Sequence, residues 1–596
     1  MCGIAGIFMR NGAPANAEAL ARMAKALHLR GPDSTGTHIA GPIGILSTRL
    51  AIVDVAHGQQ PFTGPGGAVL VANGEIYNSP ELRAEFPDAP YQTGSDSETA
   101  LHVFERLGLD YVTRLRGMYA IAIHDAANDR LVLSRDEFGI KPLCFAQTDD
   151  FLIFASEPQA IIASGLVAAE EAPDARNEML QLKYVSGART MFAGVERVPP
   201  GETLVIQHGR IASRTRLESL PSPAKRRLSR DAELVGLEAA LLDSIAVHLR
   251  ADDPCSLFLS SGVDSSLLAV LMQRLSEKPI AALTVGYAGA HANDESWDAL
   301  RTADALGAQC ERIEMGEEDF WRLAPRIAAA IDDATADTAV LPTYLLGKIA
   351  RDRGFKVALC GEGADELFGG YARYRRASLP WARAKNPGER RGVFADEETQ
   401  RRLAGWDRAI AAAEVRESAR APSRLEAVQA LDWREWMVND LLVKLDRCLM
   451  AHSVEGRTPY IDRTVVAFAR GLPDAYKADW RMGKILLRAL LARHLPQARP
   501  FAKKKGFNAP VGAWMARRGG DLSRLVSAQP GVRAVFAPDI VHAAFADAQA
   551  NAQRAWSLLY YALWHSRHML GAPADGDIAE VLGEAARANA RELEPA

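Results

Sequence analysis

Leu257-Phe258-Leu259-Ser260-Ser261-Gly262-Val263-Asp264-Ser265-Ser266 is the stretch whose reading decides the fold. Its apolar start reads as a buried parallel strand. Small hydroxyl residues, one glycine and an acid follow, and then the apolar run Leu267-Leu268-Ala269-Val270-Leu271-Met272. The pattern is strand, tight polar turn, helix. Such a turn gathers backbone N–H groups, hydroxyls and a helix N-terminus around one point, which suits a phosphate or pyrophosphate. Asp264 would repel a bare phosphate, so it implies a cation between the two. No Gly-Lys-Ser/Thr follows, so this is not a Walker loop.

Outward from this loop, strands alternate with helices. A helix is expected near Ala232 to Leu249, a strand at Ile280 to Val285, and a helix after Asn293-Asp294-Glu295. Val340 to Ala350 reads as helix and Lys356 to Cys360 as a buried strand. The alternation predicts a doubly wound parallel sheet with ligands at the carboxyl ends of its strands. A second polar loop, Cys360-Gly361-Glu362-Gly363-Ala364-Asp365-Glu366-Leu367-Phe368-Gly369-Gly370-Tyr371, falls at that end too. Its acids Glu362 and Asp365 suit one carboxylate for a cation and one for proton transfer. Farther on come a dense polar segment, Met450 to Asp462, then Lys484 in a helical run, and the basic turn Lys503 to Pro510.

The chain is 596 residues long, too long for one core, and two or more domains are expected. A net charge of −4 gives no reason to expect nucleic acid or an anionic membrane as partner. No run of about 18 apolar residues is present, so no membrane helix is predicted. The N-terminus lacks the basic region of a secretory signal. The six cysteines are scattered without Cys-x-x-Cys spacing, which argues against a zinc site or a disulfide framework and fits a reducing cytoplasm.

The first third reads differently. Met1-Cys2-Gly3-Ile4-Ala5-Gly6-Ile7-Phe8 opens a strand, and loss of Met1 would give Cys2 both a thiol and a free α-amine. An α-amine with a pKa near 8 can accept the thiol proton at neutral pH. Arg30-Gly31-Pro32-Asp33 reads as a turn, Arg49-Leu50-Ala51-Ile52-Val53-Asp54 as a strand with an arginine at its edge, and Asn73-Gly74-Glu75-Ile76-Tyr77-Asn78 as a turn. Gly94-Ser95-Asp96-Ser97-Glu98 reads as the cap of a helix. Further strand-like runs lie at Met118 to His124, Leu131 to Arg135, Lys141 to Phe145 and Phe151 to Ala155. A stacked, mostly antiparallel β-sandwich between helices fits this order. Pro221-Ser222-Pro223 and Lys225-Arg226-Arg227 mark residues 211–231 as a linker.

The loop at Ser260 to Ser265 resembles the pyrophosphate loop of ATP pyrophosphatases, usually Ser-Gly-Gly-x-Asp-Ser, with Ser261 at the first glycine position. Cys2-Gly3-Ile4, Arg30-Gly31-Pro32-Asp33, Asn73-Gly74-Glu75 and Ser95-Asp96-Ser97-Glu98 together resemble class II glutamine amidotransferases. The whole chain, from Cys2 to about Trp514, resembles the glutamine-hydrolysing asparagine synthetase family. The resemblance implies an α/β protein of two domains. Residues 2–210 would form an αββα N-terminal-nucleophile hydrolase sandwich, and 232–570 a doubly wound parallel-sheet ATP-pyrophosphatase domain. Residues 571–596 would be a loose tail, and Arg373 to Arg420, which matches the family poorly, helical surface. In Arg135-Asp136-Glu137-Phe138-Gly139, Glu137 reverses the charge of the usual Asp-Arg-Phe-Gly, in a stretch read as structural.

The resemblance also implies roles. Cys2 would attack the glutamine amide, with Asn73 and the Gly74 N–H as oxyanion hole. Arg49 would pair with the substrate carboxylate, a planar bidentate task, and Leu50, Ala51, Ile52 and Val53 would continue that subsite. Glu75 and Asp96 would hold the α-ammonium. Ser260, Ser261, Gly262, Val263 and Ser265 would cradle ATP phosphates, and Leu259, Val285, Cys360 and Gly361 would line the adenosine site. Asp264 and Asp365 would hold Mg²⁺, Lys484 would stabilise phosphate charge, and Glu362 would take a proton from attacking ammonia. Cys360 replaces the more usual serine. Glutamine, ATP and aspartate would be the small-molecule partners, with a homodimer left open, no nucleic acid, no membrane and a cytoplasmic location. Another carboxylate, such as a cell-wall, dipeptide or secondary-metabolite precursor, is the alternative acceptor. Fusion of two sites suggests a water-poor internal passage for ammonia.

Overall fold

The computed structural model describes residues 2–221, 225–226, 228–289, 294–379, 392–502 and 509–592. Met1, parts of the linker, Asn293 and most of the basic turn at Lys503 lie outside them.

The first part of the chain builds β1 (Cys2–Met9), β2 (Ser34–Ala40), β3 (Ile43–Arg49), β4 (Phe62–Thr63), β5 (Val69–Ile76) and β6 (Gly117–Asp125). It continues through β7 (Arg130–Arg135), β8 (Cys144–Gln147), β9 (Phe151–Ala155), β10 (Val195–Arg197), β11 (Glu202–Gln207) and β12 (Arg210–Arg216). These form two six-stranded sheets, ordered β10-β8-β9-β1-β3-β2 and β12-β11-β7-β6-β5-β4, with antiparallel pairing. Ile4, Phe8, Ile45, Val71, Leu133 and Leu204 fill the space between them. Helix Ala17–Ala26 covers β1 and β3 on one outside, and helix Asp96–Leu107 covers β5 on the other. This is the expected helix–sheet–sheet–helix sandwich. β1 runs between β9 and β3, so its first residue, Cys2, stands opposite Arg49 in the interior.

The second part carries β13 (Cys255–Phe258), β14 (Ala281–Tyr287), β15 (Gln309–Met315), β16 (Val357–Leu359) and β17 (Glu455–Arg457), all parallel, in the order β15-β14-β13-β16-β17. The chain winds from β13 outward to β15 and then returns to the other side of β13. The switch point therefore lies between β13 and β16, and sheets of this kind take their ligands at the carboxyl ends of the strands at such a point. Helices Arg230–His248, Val263–Leu275 and Ile485–His494 pack together on one apolar face, with Leu257 and Leu359. Helices Glu317–Ala330, Val340–Asp352 and Leu442–Met450 pack on the other, with Val285 and Ala358.

Five local expectations change. β3 ends at Arg49, and residues 50–54 form a loop rather than a strand, because Arg49 turns its guanidinium onto the carbonyls of Val53, Asp54 and Val55 and folds the chain back. Asn73-Gly74-Glu75-Ile76 is the end of β5, paired with β6 from Ala120 to Gly117, and not a turn. The strand β12 runs six residues into the stretch read as linker, closing the sheet edge against β11. The stretch read as a loose tail contains the helix Ile578–Glu592, whose Ile578, Val581, Leu582 and Ala585 are buried. Those residues recur at helical spacing, a signal present in the sequence but masked by its Ala/Glu-rich surroundings. In the Arg-rich region, Tyr374, Ile410 and Ala413 are buried, so its helices are not all surface.

Candidate active sites

At the first site the Cys2 backbone nitrogen, the α-amine of a processed chain, is 3.1 Å from Asn73 Oδ1. The side-chain nitrogen of Asn73 is buried without a hydrogen-bond partner among the described residues. A buried amide donor left open beside a nucleophile suits a developing oxyanion. Gly74 has φ +148°, and a Cβ there would lie 1.9 Å from the Met118 carbonyl of the neighbouring strand, so only glycine permits this approach. Burial pushes the Cys2 thiol upward, opposed by the positive amino terminus, the Leu50 N–H and Arg49. Gln60, which the sequence reading missed, lies 3.8 Å from the Cys2 sulfur by its side-chain nitrogen and fixes itself on both the N–H and carbonyl of Ala72.

The residues expected to bind glutamine fall close by. Leu50, Ala51 and Ile52 are buried, and the loop is clamped from the second domain: Lys356 donates to the Ala51 carbonyl at 3.0 Å, and the Asp252 N–H to that of Ile52 at 3.0 Å. Asp96 accepts from the Ile76 N–H, which places it at the end of β5 next to Glu75. Burial pushes Glu75 up to about 8, against the pull of Arg457 and with Glu455 and Asp96 adding to the rise.

At the second site the loop closes on itself. Ser265 Oγ accepts from the Ser260 N–H at 3.1 Å, and Ser260 Oγ accepts from the Gly262 N–H at 3.1 Å. Asp264 stands in the first turn of helix Val263–Leu275. Leu259 donates its N–H to Leu283, two residues before Val285, so Val285 lies level with the loop. Lys484 Nζ sits 2.5 Å from Asp264 Oδ2 and 2.7 Å from Asp365 Oδ1. Burial disfavours the ammonium, yet the two carboxylates raise its pKa above the usual lysine range. Lys484 has φ +57° and donates its N–H to Phe368, which pins it over the turn following Asp365. A Cβ on Gly370 would lie 1.7 Å from Asp365 Oδ1 and 2.4 Å from Lys484 Cε, so a side chain there would push into the pair they form. Burial pushes the Glu362 carboxyl up, with Lys444 opposing and Asp264 and Asp337 adding to the rise. The Cys360 thiol turns back towards the Ala358 carbonyl, 3.6 Å away, and burial keeps it protonated.

Two carboxylates at the ends of adjacent strands, converging on one positive charge, are a donor set that would suit Mg²⁺, with Asp264 and Asp365 as the residues to hold it. Among the described residues no group of three or more His, Cys, Asp or Glu could hold a metal ion unaided.

Between the sites the domains are locked together. Arg30 pairs with Asp446 at 2.6 Å and Glu157 at 2.8 Å, and its Nε reaches the Cys2 carbonyl at 3.3 Å. Arg447 pairs with Asp446 and Asp332, all buried. Glu137, the reversed charge, pairs with Arg463 across the interface at 2.9 Å, while Asp136 collects the N–H groups of Phe138, Ile140 and Lys141. One apolar cluster runs from Leu50 and Ile52 through Met118, Phe138 and Ile140 to Leu259 and Ala364.

Sandwich and parallel sheet are the two parts of a chain whose family matches support an ATP-dependent glutamine-hydrolysing ligase. Residues 1–216 match the glutamine amidotransferase domain model and 236–566 the asparagine synthase model. The chain belongs to the asparagine synthase family. It is 29% identical to asparagine synthetase [glutamine-hydrolyzing] 1 of Bacillus subtilis, over 95% of this chain and 96% of that one. It is 32% identical to a putative asparagine synthetase [glutamine-hydrolyzing] of Mycobacterium tuberculosis, over 95% and 97%. It is 25% identical to amidase chry2 of Gibberella zeae, over 84% and 85%. Among the described residues no helix is long and apolar enough to cross a membrane.

Proposed function

We propose that the chain is a glutamine-dependent asparagine synthetase. Cys2 attacks the glutamine side-chain amide, and its α-amine, held by Asn73, takes the thiol proton. Ammonia leaves, and water frees glutamate from the thioester. At the second site an acceptor carboxylate attacks the α-phosphorus of ATP, releasing pyrophosphate and forming an acyl-adenylate. Adenylation is required because an oxide is too poor a leaving group for ammonia to displace. Ammonia then attacks the acyl carbon, Glu362 removes a proton, and AMP departs, leaving an amide.

The observation that carries this reading is the convergence of Asp264 and Asp365 on Lys484. Bound there, Mg²⁺ would neutralise phosphate charge, held by Asp264 and Asp365. Lys484 would then turn its ammonium to the departing pyrophosphate. The apolar cluster between the sites supports a passage that keeps ammonia unprotonated.

Aspartate is the proposed acceptor. An amino-acid acceptor needs groups of both signs, and Lys444, paired with Asp337 at 3.0 Å, lies within the electrostatic reach of Glu362. Asp440 joins that set, pushed up to about 6 by burial and Asp337. The relative named as an amidase motivates a second reading, in which the same machinery amidates a different carboxylate. ATP–pyrophosphate exchange with a panel of carboxylates separates the two. Aspartate should support exchange, and asparagine should form when ammonia is added. Exchange with another acid but not with aspartate would refute the first reading.

A further inference from the structure

β17 is an edge strand of the parallel sheet, yet its two side chains, those of Glu455 and Arg457, point into the amidotransferase domain. Arg457 Nη2 lies 3.2 Å from Glu75 Oε1, and Arg457 Nε lies 2.5 Å from Glu455 Oε1. Arg457 is fully buried, as is Glu455, and Glu75 is 5% exposed. Glu75 directly follows Gly74 on β5, and Asp96 is tied to the next residue, Ile76. The acids expected to bind the glutamine α-ammonium thus stand beside a third acid, and one guanidinium pairs with two of the three, Glu75 and Glu455.

Three like charges in a buried space repel, and a carboxylate without its counter-charge would protonate or swing away. Arg457 opposes both. Its position does not depend on the substrate: Nη1 donates to the carbonyls of His248 at 2.7 Å and Arg250 at 2.8 Å. Its own carbonyl accepts from the Cys360 N–H at 2.8 Å, next to the Glu362 loop. The planar fork is therefore held at three points and offers its remaining edge to Glu75.

We propose that Arg457, contributed by the synthetase sheet, is a positioning residue of the glutamine site: it holds the Glu75 carboxyl aimed where the substrate α-ammonium docks. The amidotransferase site is complete only when the second domain is docked on it. This inference rests on the functional reading given above.

The test is steady-state kinetics on the full chain, with glutamate release measured against glutamine and pyrophosphate release measured with ammonia as donor. Arg457→Gln should raise the KM for glutamine roughly tenfold or more, the loss expected when a buried carboxylate is deprived of a charged partner. Its ammonia-dependent rate should stay within about twofold of wild type, because no atom of Arg457 is assigned to that chemistry. Arg457→Lys, with a single point charge that cannot serve Glu455 and Glu75 in one plane, should shift the same KM in the same direction. It carries the test should Arg457→Gln not fold. Because Arg457 acts through Glu75, adding Arg457→Gln to Glu75→Gln should change the KM little further. An unchanged glutamine KM, a parallel fall of both activities, or full additivity with Glu75→Gln would overturn the proposal and leave the functional reading standing. A wild-type chain that releases no glutamate would overturn that reading as well.

Discussion

Lys484 Nζ lies 2.5 Å from Asp264 Oδ2, although 220 positions separate the two residues in sequence. The contact occupies the place where a divalent cation and a pyrophosphate would meet, and Asp365 reaches the same ammonium at 2.7 Å. Asp264→Asn and Asp365→Asn each keep the side-chain shape and delete one charge. Each should depress acceptor-dependent pyrophosphate release by two or more orders of magnitude, roughly the loss seen when a preorganised electrostatic group is removed. Glutamate release should persist. Unchanged pyrophosphate release in both variants would refute the assignment.

Cys2→Ala should abolish glutamine-dependent amide formation and spare synthesis from ammonia, since the thiol and Lys484 belong to different domains. Mass spectrometry of active protein should show Met1 missing. Joint loss of both activities, or full activity with Met1 retained, would contradict the division of labour and the role of the α-amine.

Asn73→Ala removes the open amide donor beside Cys2. The kcat for glutamate release should fall by roughly 10²–10³, the usual share of one oxyanion donor. Trapping of Cys2 by a small alkylating reagent should still occur. A loss of reactivity towards the reagent would show that the thiol depends on the contact between the amine and Asn73 Oδ1, which the variant also removes.

Glu362→Gln separates proton transfer from metal binding. The variant should still form the adenylate and release pyrophosphate, while amide formation falls by roughly 10²–10⁴. Rapid quench with aspartate, ATP and ammonia should show adenylate accumulating or hydrolysing. Equal loss of both half-reactions would leave Glu362 as a support of the loop.

Lys477 offers a pH test away from either centre. Burial, reinforced by Lys225 and Arg470, pushes it down from 10.5 to about 7. Below pH 7 both folded and unfolded chains carry its proton, so the penalty for the buried ammonium is fully present. Between about 7 and 10.5 the unfolded state binds more protons, so stability rises with pH. Lys477→Met should therefore stabilise the protein near pH 6, on the order of a few kcal/mol, with the gain vanishing towards pH 10. Thermal unfolding at the two pH values checks this; an equal shift at both would show that the lysine is not titrating.

Much of this protein was legible in its sequence because local chemistry decides it. Leu257 to Ser266 can hardly be anything but strand, turn and helix, and the same holds for Val357 to Phe368. Cys2, Asn73, Gly74, Asp264, Glu362 and Asp365 stand out through stretches that resemble family motifs, and the fold brings Cys2 to Asn73 and both Asp264 and Asp365 to Lys484. The packed helix Ile578–Glu592 was legible too, through Ile578, Val581, Leu582 and Ala585, but went unread.

Tertiary structure alone decided the rest. Asn73 to Ile76 carries turn-forming residues, yet eight cross-strand pairs between β5 and β6 outweigh that preference and extend it as strand. Gln60 had no motif to announce it; only the fold places it beside the Cys2 sulfur. Arg30 with Asp446, Glu137 with Arg463, and Glu75 with Arg457 are separated by hundreds of residues. A charged side chain reads in sequence as a solvated surface group, because water is its cheapest partner. Docking of the two domains removes that water, and buried charges then have to find one another. Which charge finds which is set by how the sandwich and the parallel sheet meet, and no single stretch of the chain contains that information.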